Sequence, residues 1–486
     1  MILVHIKKIR FALLIIIIVV MSVFIGFTYN TVFGTAWSDA TELPTDKMDK
    51  SVREFSSHLP IFVIQTANTS LFWNRDEPPG IVLWFFDGEA ENRITDTPKE
   101  IFNVATAYYR GASSLAFPKL PYKINLYHSH FIEPLDYSFF GLAASSEWVL
   151  RSPYADKSLL RDWFSYELAA TVLDWQPRGR PVQLFVQNSK EGKISYRGVY
   201  FFSENITVGE GRLEPGQFDL NTSNTIDFDG GGYVVQRDRP RFNYFTLPGG
   251  HNIRYSHPSL SQITTLQDAQ LRKEIGFYFD YLSIEGKYAD LAGTEWDYQR
   301  YIDVDSFIDY FLIVELIRSI DSGEYSTFMH RPFGEKLVMG PLWDCDYSMG
   351  NTNYAQPYYH SFINMMKQFS IRNLMDDEDF KTRYIDRWTE LRGSIWSDHQ
   401  IFGMFDEMVE YLIEPAAQNA LRWPEKYDGK THIFSNPEPY TTSWDEEIER
   451  TREWLVKRVK WLDEHIPRLR CETPEKINDS YESEYE

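Results

Sequence analysis

The sequence predicts an α+β protein with a strand-rich N-terminal part and a helical C-terminal part. Two observations carry this reading. Short apolar runs rich in β-branched and aromatic residues recur between residues 61 and 236, and beyond Ser261 large apolar residues fall three to four apart. Strands first and helices later is the α+β order. The 486 residues suffice for one large or two medium domains with a real core. A composition of 43% apolar and 24% charged residues is ordinary for a globular chain.

Taken in order, Lys7, Lys8 and Arg10 precede the unbroken apolar run 11–27 (FALLIIIIVVMSVFIGF), and no charge follows until Asp39. That run is long enough to span a bilayer, so segment 1–38 is expected to be a cytoplasmic stub and a single N-terminal transmembrane helix. The cations stay inside, which places the rest of the chain outside the cytoplasm. A cleaved signal peptide is the rival reading and leads to the same side of the membrane. Residues 39–56 are polar and read as a linker, and 57–470 hold the folded body.

Strands are expected at 61–65 (IFVIQ) and 81–86 (IVLWFF), at 108–114 where YYRGASS enters a turn, and at 122–127, where polar and apolar residues alternate. A helix is expected over 158–175, capped from Asp156. Runs 182–187 and 198–203 flank a turn-rich segment and read as a hairpin. Residues 205–230 form a Gly/Asn/Asp/Thr-rich loop before a strand at 232–236. Helices follow at 266–282 and 304–320, then a short strand pair at 326–331 and 336–339, and helices to the end. The last spans 443–465 with Trp454, Leu455, Val459, Trp461 and Leu462 on its buried stripe. The tail 471–486 carries six acids against one lysine and is expected to be disordered.

A formal charge of −21 repels phosphate backbones and argues against nucleic acid as a partner. An anionic nucleotide would need local cations, helix N-termini or metal ions. Two cysteines, Cys345 and Cys471, are too few for a disulfide scaffold or a cysteine-based zinc site. One bridge between them is conceivable, although Cys345 reads better as a small buried residue. His128 and His130 have metal-like spacing but no third ligand nearby. Glycosylation sequons occur at Asn68, Asn205, Asn221 and Asn478.

The densest chemistry lies in 317–350. Asp321 ends an apolar helical stretch and is followed by Ser322-Gly323, and Asp344 comes 23 residues later in Trp343-Asp344-Cys345-Asp346. Two carboxylates one residue apart at a strand end suit a hard divalent cation, because Mg²⁺ takes carboxylate oxygens and completes its shell with water and phosphate. Another acid nearby can orient a hydroxyl nucleophile, which is the division of labour phosphoryl transfer needs. The competing readings are that these aspartates cap loops or pair with arginines, or that they serve a glycosidase.

Here the sequence resembles the CotH (spore-coat protein H) family of atypical kinases. Asp321, Gly340-Pro341, Trp343, Asp344, Asp346, Ser348 and Gly350 match that family's GPxWDxDxSxG signature and the Asp before it. Arg110-Gly111-Ala112-Ser113-Ser114 with Phe117-Pro118-Lys119 looks like its RGxSSxxFPK element. Asp156-Lys157-Ser158 with Arg161 resembles its helix entry, and Gly198, Tyr200 and Glu204 its hairpin strand. Four elements in order span roughly residues 100–470.

The resemblance implies an atypical protein-kinase-like fold over 57–470 that binds ATP with Mg²⁺ or Mn²⁺ and phosphorylates Ser or Thr of surface, secreted or coat proteins. It makes Asp321 the catalytic acid, Asp344 the principal metal ligand, and Asp346 and Ser326 further metal positions. Lys119, Arg110 and Glu204 are the nucleotide-binding candidates, with Lys119 on the phosphates and Glu204 holding it. A solvated surface lysine is the alternative for Lys119. Ser326 departs from the pattern, because kinases usually place a metal-binding Asn five residues after the catalytic Asp. The alternative function is a non-catalytic CotH-like coat or adhesion protein.

Overall fold

The computed structural model describes residues 42–485 apart from 68, 129–132, 190, 217–231, 241–243, 248–249, 283–292, 295–296, 353–357, 363–368 and 429–439. The apolar run 11–27, His130, Asn68, Asn221, Gly230 and Gly231 lie outside the described residues. Among those described, no helix is long and apolar enough to cross a membrane. The chain divides into two compact units, Met1–Ser152 with Pro181–Phe202, and Pro153–Arg180 with Ser203–Glu486.

The first unit is built on a closed barrel. Its strands are β1 (Ile61–Thr66), β2 (Gly80–Phe86), β3 (Glu100–Tyr109), β4 (Tyr122–Leu126), β5 (Glu147–Arg151), β6 (Gly179–Gln187) and β7 (Ile194–Glu204), in the order β1-β2-β3-β4-β5-β7-β6. Closure comes from β1, antiparallel to β2 with Ile61 opposite Phe86 and parallel to β6 with Ile61 opposite Gln183. Residues of one parity, including Phe62, Ile64, Phe85, Trp148 and Phe202, form a single apolar cluster. The Phe62 ring centroid lies 4.9 Å from Phe85 and 4.8 Å from Phe202. Opposite-parity residues Ile61, Val63, Trp84 and Phe86 are covered by Met48 and Val52. Burial on both faces is why β1 reads as a continuous apolar run rather than an alternation.

The second unit begins with α1 (Arg161–Ala169). It continues through β8 (Tyr233–Arg237), β9 (Phe245–Thr246), β10 (Asn252–His257), α2 (Thr265–Leu282) and α3 (Val304–Ile317), then β11 (Thr327–Arg331) and β12 (Val338–Met339). Among the described residues it closes with a short helix, Phe369–Leu374, and then α4 (Glu378–Arg392), α5 (Asp398–Arg422), α6 (Trp444–His465) and α7 (Pro474–Tyr485). Its sheet runs β12-β11-β8-β10-β9, and the expected pair β11–β12 is present with Met329 opposite Met339. Gly232, at the entry to β8, fills a close approach, since a Cβ there would lie 1.7 Å from the Pro215 carbonyl oxygen. Helix α3 is buried along most of its length, so its acids are paired: Asp309 accepts two bonds from Arg387, and Glu315 accepts from Arg458 at 2.8 Å.

Several expectations needed correction. The helix expected over 158–175 occupies only Arg161–Ala169, because the Asp156 carboxylate accepts from the Ser158 and Arg161 amides and holds the entry as a turn. The helix expected over 304–320 stops at Ile317, because Arg318 takes the left-handed conformation (φ 49°) and caps it. The strand expected at 108–114 is the end of β3, which stops at Tyr109 before a 3₁₀ turn, Ser113–Ala116. The acidic tail, expected to be disordered, carries α7. Fully buried Ile477 anchors it, and the Asn478 side chain exchanges bonds with the Phe362 amide and carbonyl at 2.8 and 2.9 Å. Both cysteines are free, Cys345 buried and Cys471 exposed.

Lys426 is a cation enclosed within this unit. It is buried, donates to the Pro153 and Asp156 carbonyls at 2.8 and 3.2 Å, and lies over the Tyr154 and Tyr427 rings. Burial pushes its ammonium down from 10.5 to about 7. Asp156 opposes that shift, Lys157 adds to it, and Glu447 and Glu425 oppose it. Between pH 7 and 10 the unfolded chain therefore binds a proton that the folded one lacks, so this residue makes stability rise with pH. Its penalty is complete below the folded value and fades as pH climbs toward 10. The Tm gained between pH 7 and 9.5 is expected to be larger for the wild type than for Lys426→Met. Equal gains would refute this.

Candidate active site

The residues singled out between 317 and 350 meet at the end of α3. Past the Arg318 cap, the Ile320 amide donates to the Tyr347 carbonyl (3.3 Å) and the Met349 amide to the Ile317 carbonyl (2.7 Å). These two bonds place the turn that begins at Asp321 beside the loop that carries Asp344 and Asp346. The turn is tight, with the Asp321 carbonyl accepting from the Glu324 and Tyr325 amides at 3.1 and 2.8 Å. Gly323 supplies a positive φ of 86°, and its carbonyl accepts from the Arg237 guanidinium. Ser326 is itself left-handed (φ 50°), which keeps it out of β11 and turns its hydroxyl to Asp344 Oδ2 at 3.3 Å.

The second loop leaves β12 through Gly340-Pro341. Gln176 holds it by a pair of hydrogen bonds, its Nε2 donating to the Leu342 carbonyl and its Oε1 accepting from the Leu342 amide, both 2.9 Å. Trp343 is buried and stacks against Tyr166, with ring centroids 6.2 Å apart. Asp344 is exposed and left-handed (φ 66°), Cys345 is fully buried, and Asp346 is partly exposed. Farther along, the Asp346 carbonyl accepts from Asn351 Nδ2 at 2.8 Å.

Electrostatically the site is a concentration of negative charge. Burial raises the Asp346 carboxyl well above the carboxylate range, and the Asp344, Asp162, Asp321 and Asp156 carboxylates raise it further, in that order. Part of the Asp346 surface remains open, but the side chain sits deep enough for burial to be the first cause. Asp321, Asp344, Asp346 and Ser326 are thus brought together within one unit. Among the described residues no three His, Cys, Asp or Glu side chains are close enough to hold a metal by themselves. The donor set still fits a hard cation that keeps part of its shell for water and phosphate: two carboxylates crowded by like charge, plus one hydroxyl.

The nucleotide-binding candidates are divided between the units, Lys119 and Arg110 in the first and Glu204 in the second. Lys119 is not a surface cation. It is fully buried in the barrel unit, donates to the Val199 carbonyl at 2.5 Å and lies 4.9 Å from the Tyr200 ring centroid. Arg110, at the end of β3 in the same unit, donates its amide to the Pro121 carbonyl at 3.1 Å. Glu204 belongs to the second unit, where it is fully buried, accepts from the Arg178 amide (2.9 Å) and faces the Arg212 guanidinium at 3.6 Å.

The motifs also left some residues of the site unmarked. Asp162 follows the conspicuous Arg161 and carries no signature of its own, yet it stands among the carboxylates around Asp346. Tyr166 and Gln176 touch the loop through backbone atoms or ring stacking. Such contacts depend on where a chain folds back and leave no spacing to read.

The family model described as CotH kinase protein matches residues 107–462, most of the chain, including every candidate site residue named above. No curated protein matches it.

Proposed function

The chain belongs to the CotH kinase family, and on that premise we propose that it is an atypical protein kinase that transfers the γ-phosphoryl group of ATP to Ser or Thr hydroxyls of surface, secreted or coat proteins. The observation that carries this reading is the pairing of the Asp321 turn with the Asp344–Asp346 loop through Ile320–Tyr347 and Met349–Ile317. It brings the Asp321 turn beside the Asp344–Asp346 loop, which supports reading the first as the acid for the acceptor and the others as acids for a cation. In this proposal the fold is a divergent protein-kinase fold, and the N-terminal run 11–27 anchors the chain with its body outside the cytoplasm.

Asp321 orients the acceptor hydroxyl and takes its proton as the oxygen attacks. Asp344 and Asp346 hold Mg²⁺ or Mn²⁺, with the Ser326 hydroxyl as an added donor. A bound cation supplies charge neutralisation at the phosphate oxygens. Lys119, Arg110 and Glu204 are assigned to the nucleotide on the family resemblance. Incubation with γ-labelled ATP and either metal tests the reading. Metal-dependent label in the protein or in a generic acceptor, lost in Asp321→Asn and Asp344→Asn, is the expected outcome.

Ser326 favours a second reading, a CotH-like coat or adhesion protein that binds nucleotide without turning it over. No label with either metal, together with a nucleotide-dependent rise in Tm, would support it. Position 326 also offers a gain-of-function prediction. Asparagine tolerates a φ of +50° better than most residues, and its amide oxygen reaches farther than a hydroxyl. Ser326→Asn is expected to fold normally and to raise the metal-dependent labelling rate several-fold. An unchanged rate would remove Ser326 from the metal site.

A further inference from the structure

Asp162 lies on the first turn of α1, a helix that none of the signature residues discussed above assigns to the chemistry. Its carboxylate Oδ1 accepts the Cys345 amide at 2.7 Å, a contact 183 positions apart in sequence. That amide is the one directly after Asp344, whose backbone is left-handed (φ 66°). An L-residue there costs about 1–2 kcal/mol relative to the right-handed region, and aspartate is among the more tolerant types. Such a conformation persists only where the surroundings hold it.

The surroundings come largely from one helix. Arg161 Nε donates to the Ser348 carbonyl at 3.0 Å, and its Nη2 to the Met349 carbonyl at 3.3 Å. Tyr166 stacks on Trp343, and its hydroxyl receives a long bond (3.4 Å) from the Asp344 amide. Of these contacts, the one at Asp162 is shortest, involves a charged acceptor and sits at the junction between the two metal-binding candidates. The helix N-terminus favours a negative charge at that position.

We propose that Asp162 is a positioning residue of the metal loop, fixing the Cys345 amide and with it the outward aim of Asp344 and the spacing of Asp344 from Asp346. This rests on the metal-binding reading of those two residues given above. Partners that orient ligands without touching the metal typically carry a 10–100-fold share of metal affinity.

The probe is Mn²⁺ with a non-hydrolysable ATP analogue, titrated by electron paramagnetic resonance into the wild type, Asp162→Ala and Asp162→Asn. Amide hydrogen exchange at Cys345 is followed without metal in the same three proteins. Asparagine keeps an oxygen that accepts the Cys345 amide, whereas alanine has none. The expected result is faster Cys345 exchange and a 10–100-fold weaker Mn²⁺ affinity in Asp162→Ala, with Asp162→Asn within a few-fold of the wild type in both. If Asp162→Asn loses as much affinity as Asp162→Ala, the residue acts through its charge and the proposal is overturned. Faster exchange in the alanine variant with unchanged Mn²⁺ affinity overturns it as well. Absence of nucleotide-dependent Mn²⁺ binding in the wild type overturns the metal reading itself, and is recognised because it precedes any substitution.

Discussion

Asp344→Asn is expected to lower metal-dependent phosphoryl transfer by about three orders of magnitude while leaving the fold intact. A cation at a transferring phosphoryl group contributes several kcal/mol to the barrier, and each 1.36 kcal/mol is about tenfold in rate. Asp344 is exposed, and its carboxylate accepts the Ser326 hydroxyl at 3.3 Å, a bond that an asparagine oxygen can still accept. The left-handed backbone at this position suits asparagine too. Removing the charge weakens cation binding and also relieves the like charge that raises the Asp346 carboxyl. Labelling rates together with thermal melts check this, and a variant as active as the wild type would take Asp344 out of the chemistry.

The second large effect is on stability. Arg161→Ala is expected to destabilise the second unit by about 3–5 kcal/mol, the usual cost of removing one partner from a buried ionic network. Arg161 is almost completely buried and bonds Asp156 Oδ1 at 2.6 Å, Glu447 Oε1 at 3.0 Å, Thr451 Oγ1 at 2.9 Å and the Ser348 and Met349 carbonyls. Its loss takes the guanidinium from two buried carboxylates, of which Glu447 keeps its ion pair with Arg450. In Arg161→Lys one ammonium cannot reproduce the planar fork, so only part of the loss is recovered. A melt lowered by roughly 10 °C for alanine and by less for lysine is predicted. Equal melts for all three proteins would show that the network contributes nothing measurable. Because Arg161 also holds the loop after Asp346, Arg161→Lys is expected to weaken Mn²⁺ binding more than it lowers the melt.

Much of this was legible in the sequence where one residue's chemistry or a strong period decides the outcome. Helix α6 was expected from Ser443, and its serine does cap it, accepting from the Glu446 amide at 3.1 Å. Strands β1, β2 and β4 were legible as apolar or alternating runs. The short strands β9 and β10 were missed, because NIRYSH lacks a strong apolar pattern and pairs with β8 through its backbone. Chain reversals set by one residue's φ, at Arg318 and Ser326, shortened a helix and a strand without a compositional signal. For the tail, charge count outweighed Ile477, whose burial together with the Asn478–Phe362 bonds seats α7.

In the site, the spacing from Asp321 to the paired aspartates was legible because carboxylates are costly to crowd unless something uses them. Asp162 was not, because its partner is a backbone amide far along the chain. The burial of Lys119 was also hidden, since a lysine beside Phe117-Pro118 reads equally well as exposed or enclosed.

The measurement that bears most directly on the division of labour in this acidic cluster is a calorimetric titration of Mn²⁺ with a non-hydrolysable ATP analogue into the wild type, Asp321→Asn and Asp344→Asn. If Asp321 serves the acceptor and Asp344 the cation, Asp321→Asn binds like the wild type and Asp344→Asn loses most of its affinity. Equal affinity in all three, or equal loss in both variants, would contradict that assignment.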